Sequence, residues 1–100
     1  MYAAAEHNRE ETELKVYIHV LLHVDDMGRM IPKQLKWEDG RWYEIDKVLD
    51  VRPAPAARAG GQGDRYTVRI HGQQRMLFFE HNPRVGEPIP GRWFMERRMP

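Results

Sequence analysis

The 100-residue sequence predicts an all-β domain built as a small antiparallel meander, and three observations carry that prediction. Leu14, Val16, Ile18, Val20, Leu22 and Val24 fill every even position without a break, the period-two pattern of a strand with one buried face. Glu38-Asp39-Gly40-Arg41 sets Asp-Gly between two aromatic-bearing segments, the pattern preferred in a two-residue hairpin turn. Eight glycines and seven prolines punctuate a chain in which 31% of residues are charged, a mixture that suits short strands and many turns better than a helical bundle.

The elements follow in order. Residues 1–13 are alanine-, histidine- and glutamate-rich and read as a disordered tail ahead of one domain spanning 14–98. The first strand runs from Leu14 to Val24. A helix competes there, because Leu14, Tyr17, Ile18, Leu21 and Leu22 also sit at helical spacing, but the β-branched content favours the strand. Asp25-Asp26-Met27-Gly28 reads as a turn with glycine at positive φ. A second strand covers about Met30 to Trp37, and Pro32 places its start at an edge or bulge. The third, Trp42 to Val51, mixes its faces, since Lys47 falls among Tyr43, Ile45, Leu49 and Val51. A bulge near Asp46-Lys47 reconciles the pattern, with a short helix as the competing reading.

Residues 52–64 form the one long irregular segment, and loops of that length are functional or mobile. The fourth strand then points Tyr66, Val68 and Ile70 inward and Arg65, Thr67, Arg69 and His71 outward. Gly72-Gln73 turns into a fifth strand, Arg75 to Glu80, whose Met76-Leu77-Phe78-Phe79 run is apolar on both faces and therefore central or covered. After a proline-bearing loop, Arg92 to Arg97 closes the order. The expected outcome is five to six strands in an SH3-like or OB-like, partly open barrel. Its core draws on Val16, Ile18, Val20, Leu22, Ile45, Val68, Ile70, Leu77 and Phe79.

Composition narrows the chemistry. There is no cysteine and no serine, so thiolate and serine nucleophiles are excluded, and only Thr12 and Thr67 offer a threonine hydroxyl. No apolar run reaches membrane-spanning length or resembles a secretion signal, so a cytoplasmic protein is expected. The net charge of +1 hides an asymmetry. Residues 1–51 carry seven basic and eleven acidic side chains, whereas residues 52–100 carry nine basic and four acidic, all nine being arginine. Arginine forks match phosphate and carboxylate geometry.

Several motifs occur in order: Trp37-Glu38-Asp39-Gly40-Arg41, Tyr43 with Ile45-Asp46-Lys47-Val48-Leu49-Asp50-Val51-Arg52, and Ala59-Gly60-Gly61-Gln62-Gly63. Arg65-Tyr66-Thr67-Val68-Arg69-Ile70, Leu77-Phe78-Phe79-Glu80 and Arg92-Trp93-Phe94 follow. Together they resemble a family of small uncharacterised, hypothetical β-rich proteins of Firmicutes-type bacteria, over roughly residues 14–97. That resemblance implies a compact β fold and carries over no catalytic residues. The N-terminal tail and the Asn82–Gly91 loop depart from it.

Candidate sites are few. His19 and His23 would lie about 13 Å apart in a strand, too far to share an ion, whereas one helical turn would bring them to zinc spacing. No third ligand accompanies them, so neither metal nor cofactor is expected. Gly60-Gly61-Gln62 matches the tripeptide of peptide-chain release factors, but its flanks do not, and it lacks the lysine and following helix of a phosphate loop. Paired carboxylates, Asp25-Asp26 and Glu38-Asp39, fall in turns. The sequence therefore points to a non-enzymatic protein-interaction module, with a homodimer among the expected forms and Tyr17 and Leu21 supplying outer apolar contact. The alternative is a barrel that holds single-stranded nucleic acid on an arginine-rich face of Arg65, Thr67, Arg69 and His71, with Tyr17 and His19 on a neighbouring strand; a metal-dependent or hydrolytic enzyme ranks third.

Overall fold

The computed structural model describes residues 14–54, 63–82 and 86–97. These residues form eight strands: β1 (Lys15–Tyr17), β2 (His19–Val24), β3 (Met30–Lys36), β4 (Trp42–Glu44), β5 (Lys47–Pro53), β6 (Gly63–Ile70), β7 (Gln73–His81) and β8 (Gly91–Glu96). All pairings are antiparallel. The fold is thus all-β and antiparallel as expected, arranged as two sheets and not as a closed barrel. The large sheet has the order β1-β8-β7-β6-β5 and the small one β2-β3-β4.

The extra strands arise because two expected strands bend from one sheet into the other. The first breaks at Ile18, whose N–H still reaches the Trp93 carbonyl of the large sheet (3.0 Å) before the chain enters β2. The helical reading of this segment fails, as both halves are strand. The third breaks at Ile45-Asp46. The Ile45 N–H donates to Lys33 in the small sheet (2.9 Å) and the Asp46 N–H to Arg69 in the large sheet (2.8 Å). The corner expected near Asp46-Lys47 is this change of sheet, and a separate register shift lies between Val48 and Asp50.

Between the sheets lies the main core of Leu35, Ile45, Tyr66, Val68, Ile70, Leu77, Phe79, Trp93 and Met95, with Ile18, Val20, Met30, Trp37, Tyr43 and Val48 packed against it. Leu77 and Val68 are fully buried, and β7 is central in its sheet, which accounts for its unbroken apolar run. Leu22 departs from expectation: it is 37% exposed. Only Val20 of β2 is partly buried; farther along the ladder the burial passes to β3, where Pro32, opposite Leu22, is fully buried and Met30, opposite Val24, packs against the core. Gly91 is required by packing, since a Cβ there would stand 2.6 Å from the Phe79 ring and run into the Glu80 carbonyl.

The turns correct one expectation. At Asp39-Gly40 only the glycine has positive φ (81°), and Trp37 accepts from the Gly40 N–H (2.9 Å) while its own N–H donates to Arg41 (3.0 Å). This is a type I turn closed by a glycine bulge rather than a two-residue loop. Asp25 to Arg29 repeats it, with Gly28 at φ 82°. The two-residue turn is instead His71-Gly72, both residues at positive φ (51° and 73°), joining the Ile70↔Gln73 pair.

Candidate functional site

Pairing fixes which side chains share a face, because directly opposed residues of an antiparallel ladder point the same way. Across the large sheet one row runs Tyr17↔Phe94↔Phe78↔Arg65↔Arg52. All five lie on the face turned away from the main core. Tyr17 and Arg65 thus share a face, but β8 and β7 separate them, so they are not on neighbouring strands. His19 belongs to the small sheet, and His71 sits in the turn, edge-on to Tyr43 at 5.7 Å.

This outer face carries its own small apolar cluster. Phe78 and Phe94 stack at 5.2 Å between centroids and are both buried. Their cover is a polar clasp. The Lys15 ammonium passes over the Phe94 ring (5.0 Å) to Glu80 Oε2 (2.6 Å), and the Tyr17 hydroxyl donates to Glu80 Oε1 (2.8 Å). The Arg92 guanidinium lies 3.5 Å from the centre of the Tyr17 ring, a cation–π contact. Burial alone would raise the Glu80 pKa, but the Lys15 and Tyr17 hydrogen bonds outweigh it and hold the carboxyl below its ordinary value. Burial first, and then the bond to Glu80, push the Tyr17 phenol up.

Thr67 was expected to face solvent; it is on the outer face but only 8% exposed. Its hydroxyl contacts the sulfur of Met76, directly opposite on β7, at 3.4 Å. Arg65 is partly buried, with an Nε that has no hydrogen-bond partner. Arg69 is exposed and directly opposite Lys47, and Arg52 directly opposite Arg65. Like charges placed opposite one another are destabilising, so this stripe is basic at some cost. One carboxylate, Asp50, sits between the two pairs and holds Arg52 at 2.7 Å.

The second surface is the β2–β3 arm. Leu21 is 50% exposed, Val24 57% and Met27 77%, and His19 and His23 are exposed beside them. Among the described residues β2 pairs only with β3, which leaves its other edge open. The turn bonds at Asp25–Arg29 set the alternation of the hairpin: odd residues of β2 bond toward β3, and Val20, Leu22 and Val24 aim their N–H and C=O groups at the open edge. Val16 to Val24 contains no formally charged residue. Among the described residues no group of three His, Cys, Asp or Glu could hold a metal ion, and no helix is long and apolar enough to cross a membrane. Gly60-Gly61-Gln62 and residues 1–13 lie outside the described residues.

A third feature was not read from the sequence: a cleft of about 680 Å³ where β7 and β8 diverge, reached by Trp37, Tyr43, Arg75 and Met76. The unbroken apolar run Met76–Phe79 was its only trace. Against known proteins the chain matches no family model, no curated protein and no solved structure.

Proposed function

We propose that this protein is a non-enzymatic interaction module that self-associates through the β2 edge. The observation that carries the reading is the unprotected edge itself. Sheet edges exposed to solvent are ordinarily blunted by lysine, proline, a bulge or a covering loop. β2 has the sequence His19-Val20-Leu21-Leu22-His23-Val24, with neither lysine nor proline, and exposes Leu21, Leu22 and Val24; the register shift between Leu21 and Leu22 places its extra residue, Lys33, on β3 and not on the β2 edge. A two-fold axis at Leu22 pairs Val20 with Val24 of a second copy and Leu22 with its own counterpart, so the same strand serves both sides. Tyr17, engaged in the clasp, takes no part; Leu21 does.

The expected solution mass is twice the 11.9 kDa of one chain, and Leu21→Lys should return it to a monomer by light scattering. Because the chain has no cysteine, Leu22→Cys should form a single cross-link and run as a covalent dimer without reductant. A monomer at millimolar concentration, together with no cross-link, would sink the reading.

A second reading, single-stranded nucleic acid on the basic stripe, is favoured by the opposed pairs Lys47↔Arg69 and Arg52↔Arg65. The aromatic rings nearest it, Phe78 and Phe94, are buried and offer no stacking platform, which limits this reading to backbone contacts. It requires binding of a labelled oligothymidine that weakens steeply with salt, with a flatter slope in the Lys47→Gln, Arg69→Gln double variant. Salt-independent or absent binding would dismiss it.

A further inference from the structure

We infer that the β7–β8 cleft is a binding slot for an extended acidic peptide, on a surface separate from the β2 edge. The β7–β8 ladder ends at Phe78↔Phe94, although β7 begins five residues earlier at Gln73. Among the described residues, β7 therefore has a partner strand from Gln73 to Leu77 only on its β6 side. The His71-Gly72 turn makes Ile70↔Gln73 the first closely bonded pair of the hairpin, and the alternation of an antiparallel ladder follows from it. Gln73, Arg75 and Leu77 direct their backbone groups to β6; Gln74 and Met76 direct theirs to the cleft. An open strand edge with backbone donors and acceptors at every second residue is the feature that recruits an added strand.

The cleft supplies the remaining chemistry. Buried Leu35, Ile70 and Met95 give it an apolar interior, and Trp37 and Tyr43 an aromatic side. One face of an added strand would meet these groups, so alternate residues should be apolar. The mouth carries charge to be matched. The Arg75 guanidinium bonds only neutral acceptors, the Gln73 side-chain carbonyl and the Gln74 backbone carbonyl (3.3 Å). Arg97, also at the mouth, is held by Glu38 (2.9 Å), and Glu96 stands in register with Lys15 on the outer face. Among the described residues of the mouth, Arg75 is left as the cation that a carboxylate of the incoming strand would satisfy. The uncharged β2 strand of a second copy would leave it unmatched.

The test uses the full chain and a fluorescein-labelled hexapeptide, Glu-Val-Glu-Leu-Glu-Val, followed by anisotropy. Saturable binding is expected. It should weaken about tenfold or more when alternate peptide amides are N-methylated, which removes the strand-pairing donors. Arg75→Glu should weaken the acidic peptide by a similar factor and improve binding of the Lys-Val-Lys-Leu-Lys-Val analogue. Met76→Pro removes a cleft-facing N–H without touching the β6 ladder and should abolish binding, its thermal unfolding serving as a control for the fold. No saturation at millimolar protein, or equal affinity for the N-methylated peptide, would overturn the assignment. So would binding of oligothymidine that is lost in Arg75→Glu.

Discussion

The outer face of the large sheet and the β2–β3 arm begin from similar material: aromatic or aliphatic side chains on the solvent side of short strands. They end differently. On the large sheet, Lys15, Tyr17, Glu80 and Arg92 close over Phe78 and Phe94 and leave both buried. On the arm, Leu21, Leu22, Val24 and Met27 are left open, with no charged side chain between Lys15 and Asp25. The same chain thus covers one apolar surface with four polar groups and leaves another bare. Exposed apolar side chains also occur at Trp42, Val51 and Ile89, but the arm gathers four of them on one hairpin with no charge among its β2 residues, which is what an interaction surface requires.

Two measurements would break or sharpen that contrast. The larger effect is expected in the core that the sheets share. Leu77→Ala should cost about 3 kcal/mol or more in urea unfolding, through lost burial and the cavity left behind. Met27→Ala, which removes a comparable side chain from the arm's tip, should stay within about 0.5 kcal/mol. A similar cost at both positions would mean that the arm is packed rather than open.

The smaller effect concerns the clasp. The folded-state pKa of Glu80 is depressed, so its contribution to stability is present above the unfolded pKa and is lost as pH falls through the folded one. Wild-type stability should therefore decline in the acidic range below the ordinary value of 4.5, and Glu80→Gln should remove part of that decline while lowering stability near neutrality by about 1–2 kcal/mol. An unchanged pH profile in Glu80→Gln would mean that the clasp does not hold the outer cluster shut.

The reach of the sequence can be judged from the same residues. Even-numbered positions 14–24 announced a strand because burial alternates with period two. The break at Ile18 left no mark, since a strand that changes sheets keeps its alternation. Parity alone puts Leu22 in the core, and parity cannot tell that burial at this level falls to Pro32 on the neighbouring strand. Asp39-Gly40 revealed a turn but not its type, which depends on whether Asp39 also adopts positive φ. Among the site residues, Arg65, Thr67 and Arg69 were correctly assigned to one outward face. Their partners were not legible, because register across β5, β6, β7 and β8 decides that Arg69 faces Lys47 and that Thr67 lies beneath Met76. The cleft was invisible for a related reason: the end of a ladder is a property of two strands.

The pairing of β1 with β8 also has a consequence in time. Lys15 and Glu80 are separated by 65 positions, and the strand that β1 pairs with is the last of the eight to be synthesised. During translation β1 and the uncharged β2 segment leave the ribosome early and wait for β8 before the large sheet can be completed. Contacts so distant in sequence slow folding, and unpaired strands are prone to aggregate while they wait. The interval before β8 emerges is when this chain is most exposed to mispairing, and when self-recognition by β2 would be least useful to it.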